Sequence, residues 1–203
     1  MKTMTDDLYK NKYRIKSARL PNWDYGSDGY YFITICTKNR ELYFGDIVGG
    51  KIEFSEMGMI AKKYFLEIPN HFSFVQLDEF AIMPNHVHGI LMINKNKPSA
   101  SESTVPINVE TGQCPVSTVP KPDADNHVCV GKSYKNTISS IIGSYKSICA
   151  REIHHFNPDF HWQSRFHDHI IRNDESLNRI RQYIIDNPFN WSQDRNNKSE
   201  LYL

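Results

Sequence analysis

Three groups of residues in this chain have types and spacings that can do chemistry. His86-Val87-His88 places two imidazoles two positions apart. On a strand, alternate side chains share a face, so both rings would project together at a separation suited to one metal ion, with Val87 turned away. His167-Asp168-His169 repeats the pattern. Nine histidines in 203 residues would give about 0.4 such pairs by random placement, so spacing alone does not separate ligands from ordinary surface or core histidines. Tyr183 and Asn187 are four residues apart, which stacks them on one face of a helix beside the apolar pair Ile180 and Ile184. Taken alone, Tyr183 reads as a core or rim aromatic.

The elements that must position these residues follow from periodicity. Tyr30 to Thr37 is β-branched and aromatic and predicts a strand. Tyr43-Phe44 and Ile52-Glu53-Phe54 flank Gly49-Gly50, a hairpin dipeptide. Ser55 is placed to cap a helix carrying Met57, Ile60, Ala61, Tyr64 and Phe65 on one face, with Pro69-Asn70 ending it. Phe74 to Met83 and His86 to Ile93 read as two strands joined across Pro84-Asn85. From Ser133, the stripe Ile138, Ile141, Ile142, Tyr145, Ile148, Cys149 has the period of an amphipathic helix. His161 to Arg172 reads as a strand, and Asp174 as the cap of a last helix with Leu177, Ile180 and Ile184 inward, stopped by Pro188. The order β-α-β-β-α-β plus one helix predicts an α+β fold. It is the ferredoxin-like split βαβ arrangement, an antiparallel sheet with helices on one face and the other face free to carry a site, with an additional C-terminal helix bearing the tyrosine.

Composition bounds the rest. A chain of 203 residues with 39% hydrophobic and 12% aromatic content is read as a single domain, residues 1–203, able to fill one core, which excludes wholesale disorder and collagen-like or coiled-coil architectures. Residues 94–131 lack aromatics, hold five of the ten prolines and repeat Ser-Thr-Val-Pro at 103–106 and 117–120, and so read as a mobile insertion within that domain. No apolar run approaches the roughly 18 residues of a membrane helix, and Met1 to Lys12 has no apolar signal core, which reads as cytoplasmic with no membrane partner. The widely spaced Cys36, Cys114, Cys129 and Cys149 form no C-x-x-C pair and read as reduced and inert. A net charge of +1 carries no nucleic-acid signal by itself. Residues 1–20, however, hold an excess of four positive charges that suits phosphate or equally a solvated arm.

Three segments together strongly resemble the HUH-type single-tyrosine transposases, in particular their REP-associated (repetitive extragenic palindrome) branch. They are Met83-Pro84-Asn85-His86-Val87-His88-Gly89, Trp162 to Arg172, and Gln182-Tyr183-Ile184-Ile185-Asp186-Asn187-Pro188, and the likeness runs from about Arg14 to Pro188 outside the insertion. The resemblance implies a metal-dependent DNA nickase and strand transferase. His86 and His88 would bind Mg²⁺ or Mn²⁺, and Tyr183 would be the nucleophile that displaces a 3′-hydroxyl and leaves a 5′-phosphotyrosine. Asn187, standing where related insertion-sequence transposases have Gln, would complete the metal site. It also implies a single-stranded DNA partner folded into a hairpin or palindrome, bound by a monomer or homodimer. Lys10, Arg14, Arg19, Lys146 and Arg165 are the candidates for tracking its phosphates. His167 and His169 are then expected to be structural or DNA-facing, and Tyr145 is the next tyrosine to test as nucleophile. Two other readings stand beside this one: a domesticated hairpin-binding protein without productive chemistry, and a zinc hydrolase, which the lack of an acidic third ligand near 86–88 weakens.

Overall fold

In the computed structural model, residues 23–96, 136–194 and 196–197 are described. Four strands form one antiparallel sheet: β1 (Gly29–Cys36), β4 (Val75–Met83), β5 (His86–Ile93) and β6 (His167–Ile171), in the spatial order β4-β5-β1-β6. Since α1 (Glu56–Leu66) precedes β4 and α3 (Ile138–Ile153) precedes β6, this is the split βαβ topology that the sequence predicts. A separate hairpin, β2 (Gly45–Val48) and β3 (Lys51–Phe54), turns at Gly49 and Gly50 with φ of 58° and 75°. Positive φ at both positions is what a two-residue hairpin of matching twist requires.

Period-two alternation sends Tyr31, Ile33 and Ile35 of β1 and Val87, Leu91 and Ile93 of β5 into one core with α1 and α3. Gly89 belongs to the same row because a Cβ there would lie 2.5 Å from Cζ of Phe65, whose ring closes onto the strand at that point. Ser55 caps α1 by accepting from the Gly58 amide at 3.0 Å, and Thr137 and Ser140 form a reciprocal capping box on α3.

Several local expectations are corrected. Pro69 does not end a helix; it sits in the first turn of a short helix, α2 (Ile68–His71), where its missing N–H has no intrahelical partner to lose. Phe44 lies ahead of β2 and is buried in the core. Helix α4 (Asp174–Asp186) is capped by Asn173, which accepts from the Ser176 amide at 2.8 Å, while Asp174 and Glu175 lie in its first turn and complement the dipole. Within 161–172 only His167–Ile171 is a strand. Trp162 makes an isolated bridge to Thr37, and Arg165, at φ 67°, breaks the ladder between them.

The opposite face of the sheet is not open. Leu177 and Ile184 of α4 pack on Phe32, Ile90 and Ile171, so the last helix roofs that face. Burial of each such side chain contributes about 1.5–3 kcal/mol. Among the described residues no helix is long and apolar enough to cross a membrane. Beyond Asn96 the 94–131 insertion lies outside the described residues, as do the basic N-terminal segment, the helix start expected at Ser133, Cys114 and Cys129.

Candidate functional site

Strand β5 carries His86 and His88 on the face that α4 covers, with Cα partners Cys36 and Thr34 on β1. Both rings are completely buried and their centroids are 4.4 Å apart. Each ring is held from behind. Asn85 Nδ2 donates to the carbonyls of Arg40 (3.1 Å) and Asn196 (2.8 Å), which turns its Oδ1 to His86 Nδ1 at 2.8 Å. An amide oxygen only accepts, so His86 carries hydrogen on Nδ1, and in the neutral ring the Nε2 lone pair faces the other way. His88 Nδ1 is 2.9 Å from Thr34 Oγ1. Side chains that orient the far nitrogen of a histidine are the usual support of imidazole metal ligands.

The residue that sequence reasoning missed is Asp194. After α4 the chain turns through Pro188 and a 3₁₀ segment, Trp191–Gln193, which brings Asp194 back to β5 with Oδ2 4.0 Å from His86 Nε2. Ligand atoms of His86, His88 and Asp194 all lie within 4.8 Å of one another, and all three residues are buried. Asn187 Nδ2 donates to Asp194 Oδ2 at 3.0 Å, and the Asn196 amide donates to Oδ1 at 2.6 Å. Asn187 Oδ1 is itself buried with no hydrogen-bond partner among the described residues. Two imidazole nitrogens, a carboxylate and an unmatched amide oxygen are a donor set that suits a divalent cation. The one signal for Asp194 in the sequence is an acidic residue shortly after the tyrosine helix, and nothing in its spacing relates it to position 86.

Tyr183 stands on the same helix as Asn187, with its hydroxyl 3.2 Å from His88 Nε2. Its ring packs edge-on to Phe32 and His88, at centroid separations of 6.2 and 5.3 Å, while 42% of the residue stays exposed. The phenol thus has one end at the buried histidine and one side open to a ligand from solvent. A lone pair serves one partner at a time, so a cation taking His88 Nε2 must displace any hydrogen bond that the hydroxyl donates to it.

The other candidates fall elsewhere. His167 and His169 pair with Thr34 and Phe32 on β6, share the sheet face of His88, and are exposed. Thr34 lies between His167 and His88 in that row, and no third ligand joins His167 and His169 in a metal-holding group among the described residues. Lys146 donates to the carbonyls of Gln163 (2.6 Å) and Arg165 (3.1 Å), two bonds that pin the loop presenting the exposed Arg165, while its burial lowers its pKa. Tyr145 lies in the core on the far side of the sheet, where its hydroxyl donates to the Ala61 carbonyl and burial raises its pKa well above the usual value. Beneath it, burial pushes the Cys149 thiol up to about 12, which leaves it unreactive. Lys10, Arg14 and Arg19 lie outside the described residues.

No protein-family model matches the chain. It is 34% identical over 181 residues to an uncharacterized protein of Haemophilus influenzae (strain ATCC 51907 / DSM 11121 / KW20 / Rd), an alignment covering 89% of this chain and 91% of that one. Among solved structures it is similar to a REP-associated tyrosine transposase bound to a REP hairpin, with a TM-score of 0.49 and 16% identity over 83% of this chain and 71% of that chain. It is also similar to a chain from Deinococcus radiodurans R1 described as a candidate transposase, with a TM-score of 0.40 and 15% identity over 79% of this chain and 91% of that chain.

Proposed function

The chain belongs to one family with that Haemophilus influenzae protein, and from the geometry of its site we propose that it is a divalent-cation-dependent enzyme that cuts and rejoins single-stranded DNA through Tyr183. The observation that carries the reading is the Tyr183 hydroxyl at 3.2 Å from Nε2 of a histidine belonging to a buried two-histidine, one-carboxylate group. A phenol is a poor nucleophile at neutral pH, and a transesterification site must hold it beside charge that can offset the phosphate.

His86, His88 and Asp194 would hold Mg²⁺ or Mn²⁺, with Asn187 presenting its amide oxygen and keeping Asp194 in place. When bound, the cation supplies Lewis-acid stabilisation of the charge on a phosphate oxygen. Tyr183 supplies the attacking oxygen. Its bond to phosphorus forms as the bond from phosphorus to the 3′-oxygen breaks, the phenolic proton ends on solvent or on the departing 3′-oxygen, and the 5′-phosphate stays on the tyrosine. Attack by a 3′-hydroxyl on that ester reverses the step, so rejoining needs no nucleotide cofactor. The partner is a single strand folded into a hairpin, since the reacting backbone must reach a tyrosine packed on the sheet; the exposed Arg165 would be a candidate for contact with its phosphates.

Asp194 also favours a second reading, a histidine-ligated hydrolase with water as nucleophile, because it provides the acidic ligand that the sequence spacing lacks. One experiment separates the readings. A hairpin oligonucleotide labelled 3′ of the cut, incubated with Mn²⁺ or Mg²⁺, is expected to yield a denaturation-resistant protein–DNA adduct. Cleavage to a free 5′-phosphate without adduct would replace the proposal with the hydrolase. Binding without cleavage would replace it with a hairpin-binding protein.

A further inference from the structure

Helix α4 is attached to the sheet along a short apolar stripe, Leu177 and Ile184 with Ile180 beside them. Apolar contact is non-directional, so such a stripe fixes the distance of a helix from a sheet better than its rotation about its own axis. Arg181 and Tyr183 are two residues apart, about 200° around a helix of 3.6 residues per turn, so they flank the stripe on opposite sides. Tyr183 reaches β5 at His88; Arg181 reaches the edge strand β4.

There Arg181 forms a two-pronged bond to Asp78, Nε to Oδ1 at 2.7 Å and Nη2 to Oδ2 at 2.5 Å, while its Nη1 donates to Asn178 at 3.0 Å. The fork is a geometrically specific contact that a single point charge does not provide. The strand is shaped for it. Between Leu77, paired with Leu91, and Phe80, paired with Gly89, β4 holds one extra residue, a bulge made by Asp78 and Glu79. The bulge lets Leu77 and Phe80 both face the α1 and α3 core while Asp78 turns to α4, and Asp78 Oδ1 also accepts from the Glu79 amide at 2.8 Å.

We infer that the Asp78–Arg181 pair at the β4 bulge is a positioning device that sets the rotation of α4 and so places the Tyr183 hydroxyl at His88. Arg181 touches neither the histidines nor Asp194; it acts through the helix. The inference rests on the reading of Tyr183 as nucleophile for its consequence in catalysis, and on the ring geometry alone for its structural part. A displacement of about 1 Å at a reacting atom costs on the order of 100-fold in rate.

The test uses the full chain and two readouts. In the wild type, ring protons of Tyr183 and His88 should show a nuclear Overhauser contact, as their centroids are 5.3 Å apart. In Arg181→Gln and in Asp78→Asn that contact should weaken, and single-turnover adduct formation at saturating hairpin DNA should fall about 10- to 100-fold. Hairpin affinity should stay within about twofold of wild type, and Mn²⁺ affinity should change less than the adduct rate, as neither residue is in the group that could hold a cation while Asn187 rides on the same helix. Arg181→Lys, which keeps the charge without the fork, should lie between. The exchanged pair Asp78→Arg/Arg181→Asp should recover both readouts, which a purely destabilising effect would not. Unchanged ring contact and adduct rate in the single variants would overturn the inference, as would lowered melting temperature with no recovery in the exchange. If the wild type forms no adduct, the nucleophile reading fails by itself, and the ring contact across the four variants still decides the role of the pair.

Discussion

On the α1 and α3 side of the sheet, Tyr31, Ile33, Ile35, Val87, Leu91 and Ile93 interlock with Phe65, Ile141, Ile142 and Tyr145 in a continuous apolar layer. On the α4 side, among the described residues, the buried apolar cluster is the smaller set Phe32, Ile90, Ile171, Leu177 and Ile184, and beside it lie buried polar residues: Thr34, His86, His88, Asn187, Asp194 and Asn196. The same two strands, β1 and β5, build both faces by alternation. Burying apolar area stabilises the fold directly, whereas each buried polar group costs stability unless it is bonded. The helical layer therefore supports the strain of keeping imidazoles, a carboxylate and amides out of water on the other face. Changes to alternate residues of one strand should separate stability from chemistry.

The largest effect should come from Tyr183→Phe, which removes one oxygen from the α4 face. Loss of a nucleophile costs on the order of 10⁶-fold, so adduct should fall below detection in denaturing gels, while hairpin affinity and melting temperature hold because the ring volume is kept. Next, His86→Ala with His88→Ala should abolish Mn²⁺ binding in calorimetric titration and stop cleavage. It should also destabilise the fold, because the buried Asn85 Oδ1 and Thr34 Oγ1 each lose a partner, at about 1–3 kcal/mol apiece. His167→Ala with His169→Ala should leave Mn²⁺ binding at the wild-type level; loss there would transfer the metal site to β6.

Leu91→Ala, on β5 but facing the other way, should lower stability by about 2–5 kcal/mol in denaturant unfolding while cation affinity at low temperature is unchanged. If the two faces fail together in that variant, their separation is wrong. A smaller effect sharpens the competition for His88 Nε2. Tyr183→Phe should bind Mn²⁺ a few-fold more tightly than wild type, since a hydrogen bond of about 0.5–1.5 kcal/mol no longer has to be given up. The smallest concerns pH. The Arg181 guanidinium beside Asp78 holds that carboxyl below the ordinary carboxylate range. A depressed folded-state pKa contributes stability that is present above the unfolded value and lost as pH falls through the folded one. Hydrogen exchange of α4 amides should accordingly quicken below about pH 4, with the effect absent in Asp78→Asn.

What the sequence by itself determined is everything that neighbours along the chain decide. Alternation wrote β1 and β5 and paired His86 with His88 on one face; the 3.6-residue period wrote α1, α3 and α4; Gly49-Gly50, Ser55 and Pro84-Asn85 marked their turns and caps. Resemblance of short motifs added Tyr183 and Asn187 as partners of the histidines, and the structure brings Asn187 to Asp194 and Tyr183 to His88. Only the tertiary structure decided Asp194, which meets His86 from more than a hundred residues away because α4 docks on the sheet and the turn after Pro188 reverses the chain. The same holds for the bulge that turns Asp78 to Arg181, and for the bond of Lys146 to two carbonyls of the loop before β6. Propensity and periodicity are local energies, readable residue by residue, whereas these contacts exist only after apolar burial has set one element against another, and no spacing in the chain encodes where a docked helix ends.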